Sequence, residues 1–227
     1  MAPAWDSAYP SGMSGRSQFD IDRLILVDGE DRVVGEAGKA ECHLEGGRKH
    51  RALAVVVFDG EGRLLLARRA AAKPLWPGSW DATIASHPRP GEDYVVAGRR
   101  RLLEELGVEL EAELLGRFDY RIEFEAVGVE DEVCAALIAR LGGDPPAPVA
   151  AEVDGIRAVT LEAFLDEAAD PAAGICPWAP LAVLAASLAP SPPAELAALA
   201  RPALRQRLID AADAHLGIGG WRMLDAG

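Results

Sequence analysis

The spacing of apolar residues along the chain changes between two periods, and this predicts an α/β protein. Runs of valine, leucine and isoleucine that end at glycine or acidic turns indicate strands, whereas apolar residues three and four apart indicate helices. The predicted strands cover residues 24–27, 32–35, 52–59, 63–68, 113–121, 132–140 and 156–160. The predicted helices cover 92–106, 161–169, 178–187 and 195–215, the last kinked or restarted at Pro202. Strands interleaved with helices favour an α/β/α sandwich around a mixed sheet.

The same pattern divides the chain into three regions. Residues 1–22 contain Ser, Gly, Pro and Met without periodicity, which is typical of a flexible tail. Residues 23–189 contain the strands and most helices, and we interpret them as one domain. Residues 190–227 begin with a proline-rich breaker and continue as an alanine-rich amphipathic segment, which predicts a helical extension at the C-terminus.

Composition and charge narrow the choice of partners. The 227 residues include 23 Lys and Arg against 36 Asp and Glu, a formal net charge of −13, and half are apolar. So acidic a chain is a poor match for nucleic acid or an anionic membrane. Three widely spaced cysteines imply no disulfide framework. The longest apolar stretch, 178–189, is too short to span a bilayer, and we expect a soluble cytoplasmic protein, monomeric or homodimeric.

A first group of candidate chemical residues consists of histidines and glutamates. His43, His50 and His87 stand at turns or at element boundaries. Taken singly, each is more often a surface or capping histidine. However, Glu130 and Glu132 are two apart in a strand-like stretch, so both carboxylates point to one face. Three imidazoles and two carboxylates together would suit Mg²⁺, Mn²⁺ or Zn²⁺.

A second group lies between residues 86 and 108 and resembles the Nudix signature. The positions in register are Glu92, Arg100, Leu102, Glu104, Glu105, Gly107 and Val108. Ser86 replaces the first glycine of the signature, and Arg101 replaces a glutamate that carries metal-assisted hydrolysis in many Nudix enzymes. Glutamates on one helical turn can hold Mg²⁺ against a diphosphate. The plain alternative is a charged amphipathic helix, which seven matches at fixed spacing make improbable.

From about residue 24 to 178 the chain resembles a narrower family, the type I isopentenyl-diphosphate isomerases. These are Nudix-fold enzymes that interconvert the homoallylic and allylic C5 diphosphates. The motifs that carry the resemblance are His43-x6-His50, Arg68-Arg69 with Lys73, Trp76-Pro77-Gly78-x-Trp80, Ser86-His87-Pro88, Arg100-Arg101 with Glu105-Leu106-Gly107-Val108, Phe118-x-Tyr120-Arg121, Glu130-x-Glu132-Val133-Cys134 and Pro177-Trp178. Arg101, unusual for a hydrolase, is what this family has at that position.

The resemblance implies a role for each matching residue. The five ligands of one divalent metal (Mg²⁺, Mn²⁺ or Zn²⁺) would be His43, His50, His87, Glu130 and Glu132. Glu105 would hold a second ion, Mg²⁺, bridged to the substrate diphosphate. The cations that bind the diphosphate would be Lys39, Arg69, Lys73 and Arg101. Trp178 would stabilise a tertiary carbocation through its indole face, while Tyr120 and Glu132 would deliver or remove a proton.

One position departs from the family pattern. Isomerases of this type have a cysteine two residues before the metal-binding histidine, where this chain has Ala85. Alanine cannot titrate, so the group expected on the second face of the alkene is missing. We therefore expect a metal-dependent enzyme that protonates an isoprenoid diphosphate but gives an altered outcome, such as cyclisation or rearrangement. The alternatives are a Nudix diphosphate hydrolase, an ordinary isomerase and a non-catalytic binder of isoprenoid diphosphate.

Overall fold

The architecture is an α/β sandwich around one mixed sheet, as the sequence pattern predicts. The computed structural model describes residues 22–44, 46–143 and 146–224. Apart from Asp22, the predicted flexible tail over 1–22 lies outside the described residues. The strands are β1 (Arg23–Val27), β2 (Val33–Gly38), β3 (His50–Phe58), β4 (Leu64–Arg69), β5 (Trp80–Asp81), β6 (Ile84–Ser86), β7 (Ala112–Phe124), β8 (Gly128–Arg140), β9 (Val153–Val159) and β10 (Trp221–Leu224). The helices are α1 (Lys39–His43), α2 (Tyr94–Leu106), α3 (Leu161–Ala168), α4 (Ala179–Ser187) and α5 (Pro202–Leu216), with 3₁₀ turns at Pro171–Ala173 and Ala194–Ala200.

Strands β3 and β8 form the parallel centre of the sheet. Their register runs without interruption from His50 opposite Glu132 to Phe58 opposite Arg140. Both strands are apolar over most of their length and buried on both faces, which is typical of parallel strands covered by helices. The sheet path is β10-β7-β8-β3-β1-β2, with β4 and β6 also pairing β3. This register places His50, the first residue of β3, beside Glu132 of β8.

Each face of the sheet has its own core. On one face α2 packs Leu102 and Leu106 against Leu53 and Leu137. This helix begins where the Asp93 side chain accepts a hydrogen bond from the Val96 amide and ends at Gly107, which has a φ of 67°. This explains why the helix ends at Gly107 as predicted, because a residue without a side chain adopts the left-handed conformation at little cost. Helices α4 and α5 cover the other face, where all of α4 is buried.

Several elements are longer or more numerous than the sequence predicts. Strands β7 and β8 extend beyond the predicted ranges 113–121 and 132–140 into the acidic stretch between them, and they pair from Ala112 to Phe124. The short strands β5 and β6 lie in a stretch that the sequence analysis did not resolve into strands. The predicted helix over 195–215 is two elements, a 3₁₀ turn and α5, and the break falls at Pro202 as expected.

The C-terminal region is part of the same packed structure. Helix α5 packs on α4, and β10 pairs antiparallel with β7, with Trp221 opposite Tyr120. The sequence pattern predicts only helix here, because the four residues of β10 follow a glycine-rich turn and are too few to show an alternation of apolar and polar positions. No helix of the described residues is long and apolar enough to cross a membrane.

This packing predicts that the extension contributes to global stability. Leu208 in α5 is fully buried in the core that also contains α4. We expect Leu208→Ala to lower the free energy of unfolding by about 2 to 5 kcal/mol, because the truncation leaves a cavity. The control is Leu103→Ala on the exposed side of α2, which should change stability by about 0.5 kcal/mol or less. Urea denaturation followed by circular dichroism measures the free energy of unfolding of both variants. Equal, small effects would contradict a contribution of the C-terminal region to global stability.

Candidate functional site

Five side chains from four elements converge at one end of the central strands. His43 ends α1, His50 begins β3, and His87 follows β6 directly. Glu130 and Glu132 lie on β8, and Glu132 is the register partner of His50. The three imidazole centroids are 4.7 to 5.1 Å apart, and one ligand atom from each of the five residues lies within 4.8 Å of all the others. The structure therefore brings together the whole predicted ligand set.

The hydrogen bonds of two histidines orient their second nitrogens towards the carboxylates. His43 Nδ1 lies 2.7 Å from the Lys39 carbonyl, and His50 Nδ1 lies 2.8 Å from the Arg48 carbonyl. A carbonyl can only accept, so each Nδ1 carries the proton and each Nε2 offers a lone pair. These Nε2 atoms face carboxylate oxygens, at 3.1 Å from Glu130 Oε2 and 3.3 Å from Glu132 Oε1.

This arrangement fits a divalent cation. Acceptor atoms that face one another in a buried site repel unless a proton or a cation lies between them. Two of them, His50 Nε2 and Glu130 Oε2, are buried with no hydrogen-bond partner among the residues that the structure describes. Backbone carbonyls that fix the imidazole tautomer are a usual outer shell of histidine metal sites. The described residues thus provide a candidate metal centre of three nitrogens and two carboxylates.

The protonation states of His43, His87 and Glu132 are compatible with metal binding. Burial, together with His50, lowers the pKa of His43 to about 3, and burial lowers the pKa of His87 well below its usual value. Both imidazoles are therefore neutral, which is the form that ligates metals. Burial opposes the ionisation of Glu132, but the adjacent imidazoles of His50 and His87 hold its pKa well below the ordinary range, and Glu132 in turn raises the pKa of His50. Burial and the charge of Glu132 raise the pKa of Glu130.

A buried phenol extends this cluster towards the core. The Tyr120 hydroxyl donates to Glu132 Oε2 at 2.6 Å, and the two residues are register partners on β7 and β8. Burial, and then the charge of Glu132, raises the pKa of Tyr120 well above its usual value. The phenol therefore keeps its proton at neutral pH and can pass it only where the carboxylate or a reacting group accepts it.

The indole of Trp178 stands between the phenol and the cationic part of the site. Its ring centroid is 6.3 Å from that of Tyr120 and 5.0 Å from that of Trp76, which meets it edge-on. Trp178 is 2% exposed, and its Nε1 donates to Asp81. The structure thus gathers the three residues that the sequence analysis named as catalytic around one buried position.

The four predicted phosphate-binding cations lie on neighbouring elements. Arg69 and Lys73 line one small cavity, together with Glu105 and Glu152. Arg101 on α2 pairs with Glu105 at 2.5 Å, and it lies 3.5 Å from Glu152, with which Lys73 also forms an ion pair. Burial, followed by the charges of Lys73 and Arg101, lowers the pKa of Lys39 to about 8. Lys39 therefore belongs to the same positive cluster.

Glu105, predicted to hold a second ion, is buried within this cluster. It shares the cavity with Arg69 and Lys73, and its Oε1 accepts from Arg101. Its helical neighbour Glu104 pairs with Arg100 at 3.0 Å and with Arg101 at 2.7 Å. Arg101 therefore contacts both glutamates, of which Glu105 lines the cavity.

Ala85 occupies the position at which the type I isopentenyl-diphosphate isomerases have their cysteine. It pairs with Ala54 across β6 and β3, packs against the core that contains Tyr120 and Trp178, and lines the cavity of the cations. No thiol lines this cavity within the part of the chain that the structure describes. Cys134 and Cys176 are buried nearby in the core, and burial raises the pKa of both well above the usual value.

Two residues of the site were missed by sequence reasoning. Asp81 is a buried acid that lines the same cavity as Ala85, and Glu152 lies between Lys73 and Arg101. Asp81 stands in a loop-like stretch where an acidic residue is normally a turn residue, and Glu152 precedes the predicted strand 156–160. Nothing in their local pattern distinguishes them from surface acids, so only the three-dimensional structure could find them.

The comparisons with known proteins agree with this site. A family model described as the NUDIX domain matches residues 48–179, more than half of the chain. A crystal structure of DR0079 from Deinococcus radiodurans superposes with a TM-score of 0.58 at 26% identity, covering 71% of this chain and 97% of that one. The fold and the site thus define a Nudix domain protein.

Sequence relatives narrow the class. The Isopentenyl-diphosphate Delta-isomerase of Haloarcula marismortui is 38% identical over 165 residues, which is 70% of this chain and 88% of the relative. The protein of the same name from Nocardia farcinica is 43% identical over 155 residues, or 67% of this chain and 87% of the relative. The chain belongs to the isopentenyl-diphosphate isomerase family of Nudix proteins.

Proposed function

We propose that this protein is a metal-dependent enzyme that protonates the double bond of an isoprenoid diphosphate and sends the carbocation to an altered outcome. The observation that carries the proposal is the buried Tyr120–Glu132 pair, at 2.6 Å, beside the Trp178 indole. A hydrogen-bonded phenol and carboxylate form a proton-delivery pair, and an indole face stabilises positive charge. Binding alone would need neither group.

The head of the substrate would lie among the cations. Lys39, Arg69, Lys73 and Arg101 are clustered and now neutralised in part by Glu105 and Glu152. A diphosphate makes charge-assisted hydrogen bonds with such groups. Mg²⁺ at Glu105 would shield the diphosphate charge. The three histidines with Glu130 and Glu132 would hold the second divalent ion, for which Mg²⁺, Mn²⁺ or Zn²⁺ suit the donor set.

The hydrocarbon would then take up a proton near Trp178. A proton moves from the Tyr120–Glu132 pair to the terminal alkene carbon, the π pair forms the new C–H bond, and the adjacent carbon becomes a tertiary cation. Isomerisation requires a base on the opposite face to remove another proton, and Ala85 supplies none. The cation can then return its proton, add water, or be attacked by a second double bond of a longer chain, which forms a ring.

A second candidate is ordinary isomerisation of the C5 diphosphates. It is favoured by the family relatives, which are named Isopentenyl-diphosphate Delta-isomerase and are 36 to 47% identical. It requires that proton removal occur without a thiol, from the delivering pair itself or from water. The residues around the alkene are the same in both candidates, so the products must decide between them.

Product analysis tests the proposal directly. The purified protein with Mg²⁺ or Mn²⁺ is incubated with C5, C10 and C15 isoprenoid diphosphates, and the products are separated and identified by mass spectrometry. Cyclised, rearranged or hydrated products support the proposal, whereas equilibrated C5 isomers alone support the second candidate. Release of phosphate or pyrophosphate would point to a hydrolase. Calorimetric binding without turnover would point to a binder, and the proposed chemistry would be wrong.

The metal centre makes a prediction that does not depend on turnover. A divalent ion at a hundred times its dissociation constant should stabilise the protein by about 2.7 kcal/mol, which corresponds to roughly 5 to 10 °C in Tm for a chain of this size. We expect His50→Ala to lose most of this increment, and His215→Ala, far from the cluster in sequence and in α5, to keep it. Thermal melts with and without Zn²⁺ or Mn²⁺ measure the increment within each variant, and an unchanged increment in His50→Ala would count against the site.

A further inference from the structure

The buried carboxylate of Asp81 has no role in the proposed chemistry so far. Asp81 ends β5 and is only 2% exposed. Its Oδ1 accepts from the Ala82 amide at 2.9 Å. The segment that carries it is held firmly, because Thr83 has a φ of 74°, a strained conformation for a β-branched residue, and is anchored by hydrogen bonds to Leu65 and Val57. Ala85 follows two residues after Thr83. The same segment therefore places both Asp81 and Ala85 at the cavity.

The main partner of this carboxylate is the indole of Trp178. Nε1–H of Trp178 lies 3.0 Å from Oδ1 and 3.1 Å from Oδ2, so the proton is shared between both oxygens. The indole has a single hydrogen-bond donor, and fixing it fixes the rotation of the ring. A bond to an ionised acceptor is stronger than one between neutral groups. Asp81 therefore helps to fix the direction of the indole face, together with the edge-on contact with Trp76.

Burial raises the pKa of Asp81, whereas the charge of Arg69 and the hydrogen bond from Trp178 oppose this shift, so these two partners favour the charged carboxylate. Arg69 Nη1 lies 3.5 Å from Asp81 Oδ2, and its guanidinium carbon is 5.4 Å from the centroid of the Trp178 ring. The other donors of Arg69 bind the carbonyls of Leu75 and Trp76. A buried ion pair is a poor source of stability, because desolvation offsets much of the attraction. A neutral amide could accept the same indole proton at a lower desolvation cost.

We propose that Asp81 is a positioning residue that orients the Trp178 indole and makes its face a stronger site for a carbocation. The inference rests on the proposed function, in which this indole faces the cationic carbon. A carboxylate that accepts from the indole N–H pushes electron density into the ring. The π face becomes more negative, and its attraction for a cation over it increases. Asp81 acts through Trp178 and does not itself touch the substrate.

Binding of two isosteric ligands tests this role without turnover. The first is a C5 diphosphate in which a protonated tertiary amine replaces the trigonal carbon, and the second is the saturated branched alkyl diphosphate. The ratio of their dissociation constants reports how strongly the site prefers a cation. We expect the wild type to favour the ammonium ligand by about tenfold, and Asp81→Asn to lower this preference about fivefold. Affinity for the neutral ligand should change little, since the phosphate-binding cations remain.

A double-mutant cycle with Trp178→Phe identifies the path of the effect. Phenylalanine keeps an aromatic face but has no N–H, so Asp81→Asn should have no further effect on the preference in that background. A loss that persists undiminished there would mean that the charge of Asp81 acts on the ligand directly, as a counter-ion or proton acceptor, and would overturn the proposal. An unchanged preference in Asp81→Asn would overturn it as well. If that variant does not fold, Asp81→Ser, which keeps an uncharged acceptor in less volume, takes its place with the same expectation.

The assay separates this inference from the proposed function. A wild type that binds both diphosphates but gives no product would contradict the proposed catalysis, and the cycle would still decide the role of Asp81. A wild type that binds neither would contradict both. Far-ultraviolet circular dichroism and thermal melts confirm that each variant is folded before its affinities are compared.

Discussion

Glu132→Gln is expected to lower turnover by at least about 10³-fold, because this side chain takes part in both proton delivery and the metal site. Its Oε2 accepts from Tyr120 at 2.6 Å, and its Oε1 lies 3.0 Å from His87 and 3.3 Å from His50. Glutamine keeps the shape but has one oxygen in place of two and no negative charge. One of these partners must then face an amide nitrogen, and the phenol no longer has an anionic acceptor for its proton.

The measurement is the initial rate of product formation at saturating metal, together with metal content by mass spectrometry. Tyr120→Phe is the companion variant, since it leaves all five candidate ligands in place. It should lose about 10²-fold in rate with unchanged metal content, which isolates the proton-delivery part. The matched control is Glu123→Gln, a carboxylate on the exposed side of β7 that should keep the wild-type rate. Turnover of Glu132→Gln within tenfold of wild type would remove Glu132 from the mechanism.

The sequence was informative about this site wherever a pattern is local. Alternation along β8 places Glu130 and Glu132 on one face, and the structure has them so. The apolar runs of β3 and β8 also predict two buried strands. Their parallel register cannot be predicted in this way, because parallel strands are joined by long connections and no local pattern determines which residues pair. The contact between His50 and Glu132 therefore rested on family resemblance until the fold was available.

Residues that act through tertiary contacts could not be predicted from the sequence for the same reason. Asp81 became visible only when β5 was found to place it 3.0 Å from an indole 97 residues away. Glu152 likewise depends on β9 packing beside β4, which brings it to Lys73 and Arg101. β10 was missed because its pairing with β7, not its own four residues, defines it as a strand. Burial and partners, not residue type, distinguish these positions.

Ala85→Cys is expected to increase the interconversion of the C5 diphosphates by at least about tenfold over the wild type, because it restores a titratable group where the family has one. Ala85 lines the cavity of Arg69 and Lys73 and is only partly buried, so a cysteine at this position would place its sulfur at the cavity. The resident thiols are no substitute, since burial raises the pKa of Cys134 and Cys176 well above the usual value. The thiolate of a cysteine at position 85 could accept the proton that the cation must lose, and it would become the neutral thiol. Formation of cyclised or rearranged products should fall in parallel.

The reaction in D₂O, followed by NMR, measures both the isomer ratio and the deuterium incorporated. Ala85→Ser is the matched control, because it adds a similar volume and a hydrogen-bonding group that does not titrate near neutral pH. Alkylation of the new cysteine with iodoacetamide should abolish the gain, and it should leave the wild type unaffected. If the serine variant gains as much as the cysteine variant, the added group acts by filling space. If neither gains, the alanine at position 85 is not what separates this chain from its isomerase relatives, and the altered outcome must have another cause.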